Sequence, residues 1–279
     1  MAMMAGFLVA LRCKGESPQE LLGLLDALMQ DVVPIPVDGH GLLDVVGTGG
    51  DGAHTVNVST MAAIVAAGSG ARVLKHGGRS ASGKAGAADV LEVLGLPLDL
   101  SPQSIAQCVR EVGIGFTLAS RFVPGLRHAS PVRKALGVPT AINYIAPLTN
   151  PAAPTLQRCL PNAEPMPSSF MAATGSIDYG IARSEPESLR GGDAQYNAQV
   201  VRDVLDGRPG RVRDAVILNA AAAIATHELT RGNLKDILAD CLERSRRAID
   251  SGAAAATLRA WLERSGALAT TQPESGGPR

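Results

Sequence analysis

The sequence predicts an α/β protein built on a mostly parallel sheet, and three observations predict it. Short apolar runs alternate with amphipathic stretches along the first half of the chain. Glycine-rich turns separate strand from helix at two places. Apolar residues make up 46% of the 279, enough for a sizeable core. A β-α-β-α order implies parallel strands covered by their crossover helices.

In order along the chain, residues 1–13 read as a helix. "SPQELLGLLDALMQ" follows, with Ser17 as N-cap, Pro18 at the first helical position and Glu20 completing a capping box. Leu21, Leu25 and Leu28 then share one face. "LLDVV" (42–46) is a buried strand, 58–68 a helix, "RVLKHG" (72–77) a strand and 86–95 a helix. Ser101-Pro102 opens another helix, "GIGFTLA" (113–119) is a strand, 124–136 a helix and "PTAINY" (139–144) a strand. From "APLTNPAAP" to about residue 176 the periodicity fails among prolines, so an extended linker is expected near 151–175. Helices resume at 193–206, 211–226, 231–250 and 253–264, and residues 269–279 are expected to be a disordered tail.

Composition removes several function classes. Lys plus Arg and Asp plus Glu balance at 26 each, so no bulk charge favours nucleic acid or anionic lipid. The four cysteines, Cys13, Cys108, Cys159 and Cys241, are scattered without metal-ligand spacing and read as reduced thiols. Residues 1–10 are apolar but short and lack a basic flank, so they read as helix and not signal peptide. No run reaches the roughly 18 apolar residues of a membrane span. A cytoplasmic protein with neither nucleic-acid nor membrane partners is expected.

Chemistry concentrates in "DVVGTGGDGAHTVNVST" (44–60). A glycine loop between strand and helix exposes backbone N–H groups, and the helix adds its positive end, a combination suited to phosphate. Thr48, Thr55, Asn57, Ser59 and Thr60 add side-chain donors. The pattern is neither a Walker loop nor GxGxxG. A plainer reading is a glycine-rich turn with an ordinary Asn or Ser helix cap, and the loop's composition leaves both open. "KHGGRSASGKAGAADVLEVLG" (75–95) repeats the arrangement with Lys75, His76, Arg79, Ser80, Ser82 and Lys84. Two such loops at the carboxyl ends of neighbouring parallel strands would face one crevice. His76 alone reads as a structural histidine, whereas the Lys75, Arg79 and Lys84 set favours phosphate over a solvated basic face.

At this point a resemblance becomes specific. "GTGGDGAHTVNVST", "KHGGR", "ADVLEVLG", "HASPVRKALGVPT", "APLTNPA", "GGDAQYNA" and "DAVILNAAAAI" resemble anthranilate phosphoribosyltransferases, in the same order. The resemblance implies a small helical domain plus an α/β domain with a mostly parallel sheet, of the nucleoside phosphorylase and phosphoribosyltransferase type, here truncated. It places the helical domain at 1–36 with a contribution from about 122–137, and the α/β domain at 37–268. It implies phosphoribosyl transfer from phosphoribosyl pyrophosphate (PRPP) to anthranilate in tryptophan biosynthesis, with Mg²⁺ as cofactor and a homodimer as assembly. Carried over by residue, the donor is bound by Gly47, Gly50, Asp51, Thr55, Asn57, Val58, Ser59, Thr60, Lys75, His76, Gly77, Arg79, Ser82, Gly83 and Ala87. The acceptor is bound by Gly47, Gly78 and Arg133, the metal by Ser59, and no residue acts as acid or base. Such a reaction needs donors aimed at the departing diphosphate more than covalent help.

The chain also departs from the family pattern. Gly78 stands where the family has Asn, Gly83 and Ala87 where it has serines, Val123 where it has histidine, and Ala146 where it has glycine. The segment after "PLTNPA" that carries the family's metal-binding Asp-Glu pair has no counterpart, and no "DE" dipeptide occurs. The family's opening helices, which serve its dimer contact, are also missing, so a weakened dimer is expected. Two alternatives therefore stand beside the main reading: a non-catalytic relative, and a phosphoribosyltransferase for another aromatic amine.

Overall fold

The computed structural model describes residues 1–47, 54–80, 84–153, 156–160, 181, 185–228 and 234–271. Among the described residues four strands form one sheet in the order β3-β2-β1-β4, with β1 (Leu42–Gly47), β2 (Arg72–Gly77), β3 (Ile114–Leu118) and β4 (Leu156–Leu160). Every pairing is parallel: Leu43 is in register with Val73 on one side and with Leu156 on the other, and Val73 with Ile114. The β-α-β-α expectation is therefore met, and its physical basis is the burial of both sheet faces. Leu42 to Val46 of β1 are all buried, as a strand covered on both sides requires.

The central covering helix is α3 (Val58–Gly68), in which every residue from Thr60 to Ala67 is buried. Its run of alanines lets neighbours come close. A Cβ on Gly68 would lie 2.8 Å from the Cα of Ala254, so Gly68 is where two backbones touch. The helices α4 (Ala87–Leu94), α5 (Pro102–Val112), α9 (Ala194–Leu205), α10 (Arg211–Glu228), α11 (Leu234–Asp250) and α12 (Ala253–Thr270) contribute buried residues to the same apolar core. Trp261 of α12, the chain's single tryptophan, is buried in the same core.

A second apolar cluster is built by α1 (Ala2–Lys14), α2 (Pro18–Met29), α7 (Pro124–Leu136) and α8 (Ala141–Ile145). Leu8, Leu126, Val132 and Ile145 form its interior, and Leu21, Leu25 and Leu28 pack against it. The capping box on α2 is present: Ser17 Oγ accepts the Glu20 N–H, and Glu20 Oε2 accepts the Ser17 N–H. A one-turn helix, α6 (Ala119–Phe122), leads from β3 into this cluster.

Three expectations need correction. Residues 139–144 do not form a strand. Thr140 is extended and its N–H donates to Asn143 Oδ1 at 3.0 Å, which starts α8 at Ala141. The proline-rich stretch is not all linker, because Leu156–Leu160 is proline-free and pairs with β1. The expected tail starts too early, since α12 continues to Thr270. The rest of the expected linker, 161–180 and 182–184, and residues 272–279 lie outside the described residues. Among the described residues no helix is long and apolar enough to cross a membrane. Cys13 is exposed, and Cys108 and Cys241 are buried free thiols.

Candidate active site

Strand order places the site. The chain leaves β1 at Gly47 with β2 and β3 on one side and β4 on the other, so the topology switches direction at this strand. Open parallel sheets bind ligands at the carboxyl ends of their strands at such a point. Both glycine-rich loops leave from there, the first after Gly47 and the second after Gly77.

Lys75 ties the base of the first loop. Its side chain is almost completely buried, and Nζ donates to Val45 O at 2.6 Å and to Ser59 Oγ at 3.3 Å. The ammonium therefore bridges the strand before the loop and the helix after it. Burial pushes the Lys75 pKa down to about 8, against the buried carboxylate of Asp44, which holds it up. Asp44 Oδ1 accepts the His76 N–H at 3.1 Å. The His76 ring is buried with both nitrogens occupied, Nδ1 by Thr117 Oγ1 at 2.9 Å and Nε2 by Thr149 Oγ1 at 3.3 Å. Burial, then the neighbouring Lys75 charge, lower its pKa to about 3, so the imidazole is neutral near pH 7. The His76 side chain is thus structural, and the donor contact expected of it is not one its ring can make in this arrangement. Asn150 Nδ2 donates to Leu74 O at 2.9 Å, so Thr149 and Asn150 of "APLTNPA" fasten the stretch after α8 to β2.

Asn57 bears on the plainer reading of the first loop. It occupies the N-cap position of α3, yet its side chain caps none of that helix's N–H groups. Its Nδ2 donates to Ala85 O at 3.3 Å, and its Oδ1 accepts from Asn197 Nδ2 at 2.9 Å. The Asn57 side chain therefore does not cap α3, whose Thr60 N–H instead donates to Asn57 O at 3.0 Å. Thr60, in the same first turn, has a buried hydroxyl without a hydrogen-bond partner among the described residues. Thr55 pairs with Arg190 in an antiparallel bridge, with Val56 N donating to Leu189 O at 2.9 Å and Gly191 N to His54 O at 2.7 Å. His54 adopts φ +50°, a left-handed conformation that fixes the loop's exit. Val58 opens α3 beside Ser59. Leu189–Gly191 and Asn197 are not among the expected site residues; the signals for them are the motif "GGDAQYNA", which contains Gly191 and Asn197, and a polar Asn197 on the helix face that carries Val201 and Leu205.

The second loop is closed by a carboxylate. Asp89 Oδ2 accepts the N–H groups of Ser80 at 3.1 Å and Gly86 at 2.8 Å, and Oδ1 accepts from Arg79 at 2.8 Å. Burial would raise the Asp89 pKa, but these N–H groups and Arg79 lower it overall. Glu92 takes the Arg79 guanidinium in a two-point pair at 2.8 and 2.9 Å. Arg79 accordingly clamps its own loop, and its guanidinium is not turned to a phosphate. A Cβ on Gly86 would lie 2.5 Å from Ser80 N, so only glycine lets the loop ends meet. Gly77 is packed under Phe116 and Ala87, whereas a Cβ on Gly78 would meet nothing within 4 Å among the described residues. Arg133, on α7, makes no side-chain hydrogen bond or ion pair among the described residues, and burial lowers its pKa. Gly50, Asp51, Ser82 and Gly83 lie outside the described residues.

The expected metal can be tested on Ser59. Among the described residues no three His, Cys, Asp or Glu side chains come together. The Ser59 hydroxyl faces the Lys75 ammonium. Mg²⁺ asks for near-octahedral oxygen ligands, and a neutral hydroxyl beside a cation does not fit a resident ion.

A helical bundle joined to a parallel sheet whose glycine-rich strand ends converge defines the glycosyl transferase class. The helical bundle domain of the glycosyl transferase family matches residues 1–31, and its α/β domain matches 39–159 and 170–255. The chain belongs to the anthranilate phosphoribosyltransferase family. It is 47% identical to the anthranilate phosphoribosyltransferase of Salinispora arenicola over 94% of this chain and 86% of that one. The Thermobifida fusca enzyme is 46% identical over 96% and 88%. The crystal structure of the Thermus thermophilus enzyme superimposes with a TM-score of 0.82 at 33% identity, covering 94% of this chain and 89% of that one. The Saccharomyces cerevisiae enzyme in complex with PRPP and Mg shares the fold, with a TM-score of 0.79 at 23% identity, covering 95% and 85%. The Salinispora match runs over 305 aligned positions against 279 residues here, so at least 26 positions of that relative have no counterpart. The family match itself is interrupted between 159 and 170, after β4.

Proposed function

We propose that the chain transfers the phosphoribosyl group of PRPP to the amine of anthranilate, releasing pyrophosphate. One observation carries the reading: Asn57 is turned away from α3, which leaves the helix's positive end, the Thr60 hydroxyl (without a partner among the described residues) and the Lys75 ammonium around one loop. Charge gathers on the diphosphate as its bond to C1 breaks. The N-terminus of α3 and the Lys75 ammonium stabilise that charge without having to reorganise. Arg133, half-buried and without a side-chain partner among the described residues, suits the acceptor carboxylate through its fork of N–H donors. The amine attacks C1 as the C1–O bond breaks, and the excess proton leaves to solvent.

A second reading, a non-catalytic relative that keeps the donor site, is favoured by the poor fit of Ser59 to Mg²⁺. Two measurements separate them. PRPP should raise the melting temperature under either reading, because a ligand of the native state stabilises it. Phosphoribosyl-anthranilate should form only under the first. Absence of any PRPP-induced shift at millimolar ligand would sink both. The division into a helical unit at 1–36 with 122–137 and an α/β unit at 37–268 belongs to this proposal. So does a homodimer, which the exposed Met3, Phe7 and Leu22 of α1 and α2 support.

A further inference from the structure

Asn197 lies in the first turn of α9, is 2% exposed, and sits 140 positions from Asn57. Its Oδ1 accepts the Gly192 N–H at 2.9 Å, and its Nδ2 donates to Asn57 Oδ1 at 2.9 Å. Asn57 Nδ2 in turn donates to Ala85 O. This relay has a polarity set by its two ends. A backbone N–H can only donate and a backbone carbonyl can only accept, so each amide between them has one satisfying orientation. The segment before α9 is also held close: a Cβ on Gly191 would lie 2.9 Å from Asn197 Oδ1 and 3.0 Å from the Thr55 carbonyl carbon.

We propose that Asn197 is a positioning residue for the phosphoribosyl donor, fixing the Asn57 amide so that the exit of the first loop and the end of the second are held at a set spacing. This rests on the donor-binding reading above. A side chain from a distant part of the chain thus holds the two phosphate-facing loops together.

The test compares Asn197→Asp and Asn197→Ala with the parent chain by donor and acceptor KM, kcat and melting temperature across pH 5.5 to 8.5. At high pH the Asp carboxylate still accepts the Gly192 N–H but cannot donate to Asn57, and two oxygens face each other. Donor KM should rise on the order of tenfold, the scale of one buried hydrogen bond lost with its partner stranded. Acceptor KM should change less than about twofold, a donor-specific split of the kind expected of lost uniform donor binding. On acidification the Asp variant should approach the parent, because a carboxylic acid can accept and donate at once. The Ala variant should not respond to pH in this way. If both variants, assayed below their melting temperatures, keep a donor KM within twofold of the parent, Asn197 does not position the donor. Equal losses for donor and acceptor would overturn the idea too, as would a loss in melting temperature alone. If the Asp variant does not fold, the Ala variant's donor-to-acceptor split decides. A parent chain that shows no PRPP-induced stabilisation would instead defeat the functional reading itself.

Discussion

Replacing Lys75 with methionine should stabilise the protein while removing its affinity for the donor. Holding this ammonium at about 8 instead of the 10.5 of an exposed lysine corresponds to about 3 kcal/mol of destabilised charge. Methionine fills a similar volume without the charge. It gives up the bonds to Val45 O and Ser59 Oγ, a loss of about 0.5–1.5 kcal/mol each. The net gain is then up to about 2 kcal/mol, which for a chain of this size raises the melting temperature by up to about 6 °C. The pH dependence has a fixed sign. Because the folded-state pKa is depressed, the folded protein sheds its proton first. The cost is present in full below pH 8 and fades as pH rises toward 10.5, where the unfolded chain is deprotonated too. The advantage of Lys75→Met should therefore be greatest near neutral pH and vanish at strongly alkaline pH. Melting curves of both proteins, with and without PRPP, provide the assay. A variant that melts below the parent at pH 7, or that keeps its donor-induced shift, would refute the reasoning.

Three further outcomes are expected. Gly78→Asn should fold with stability within about 0.5 kcal/mol of the parent, since the space beside Gly78 is open among the described residues; it should lower the KM for anthranilate and sharpen discrimination among aminobenzoates, read by initial rates. His76→Gln should flatten the acid limb of stability. With a folded pKa near 3 and an ordinary one of 6.5, stability falls as pH drops through 6.5 toward 3, by at most about 1.4 kcal/mol per pH unit, and acid-melting series on both proteins report the difference. Turnover should respond weakly to added Mg²⁺ and stay far below that of a relative carrying the additional segment, as a magnesium series at fixed PRPP measures; ordinary saturation with relative-like rates would contradict the poor fit of Ser59.

The sheet and the loop positions were legible because they follow local rules. "RVLKHG" has the β-branched and apolar content of a covered strand, and β2 runs over Arg72–Gly77 as expected. The capping signals at Ser17 and Ser101 start helices where a side-chain oxygen can reach the N–H three residues on. "PTAINY" misled because Thr and Ile favour strands, while the Thr140 and Asn143 pair, which decides the matter, operates over a single turn. Leu156–Leu160 was hidden by Pro154 and Pro161, which flank the strand without interrupting it, as an edge strand permits. At the site, Lys75 and Asn57 were legible from the loops that carry them. The engagement of His76 and Arg79 was not, because Thr117, Thr149 and Glu92 are brought to them by tertiary packing. Asn197 was the hardest to see, since its partner lies in another half of the sequence.

The position of β4 has a consequence for how the protein is made. Soon after each is synthesised, β2 pairs with β1 and β3 with β2, because each neighbour is the next strand along the chain, and this leaves the other edge of β1 open. Its other partner comes only after β3, three further helices and the proline-bounded segment. Closing so long a loop carries an entropic cost that must be met before the contact returns anything. During synthesis β1 is therefore an edge strand, with a row of unpaired N–H and C=O groups on an apolar ribbon. The half-made chain is the form exposed to wrong pairing with other nascent chains, and the arrival of β4 ends that exposure.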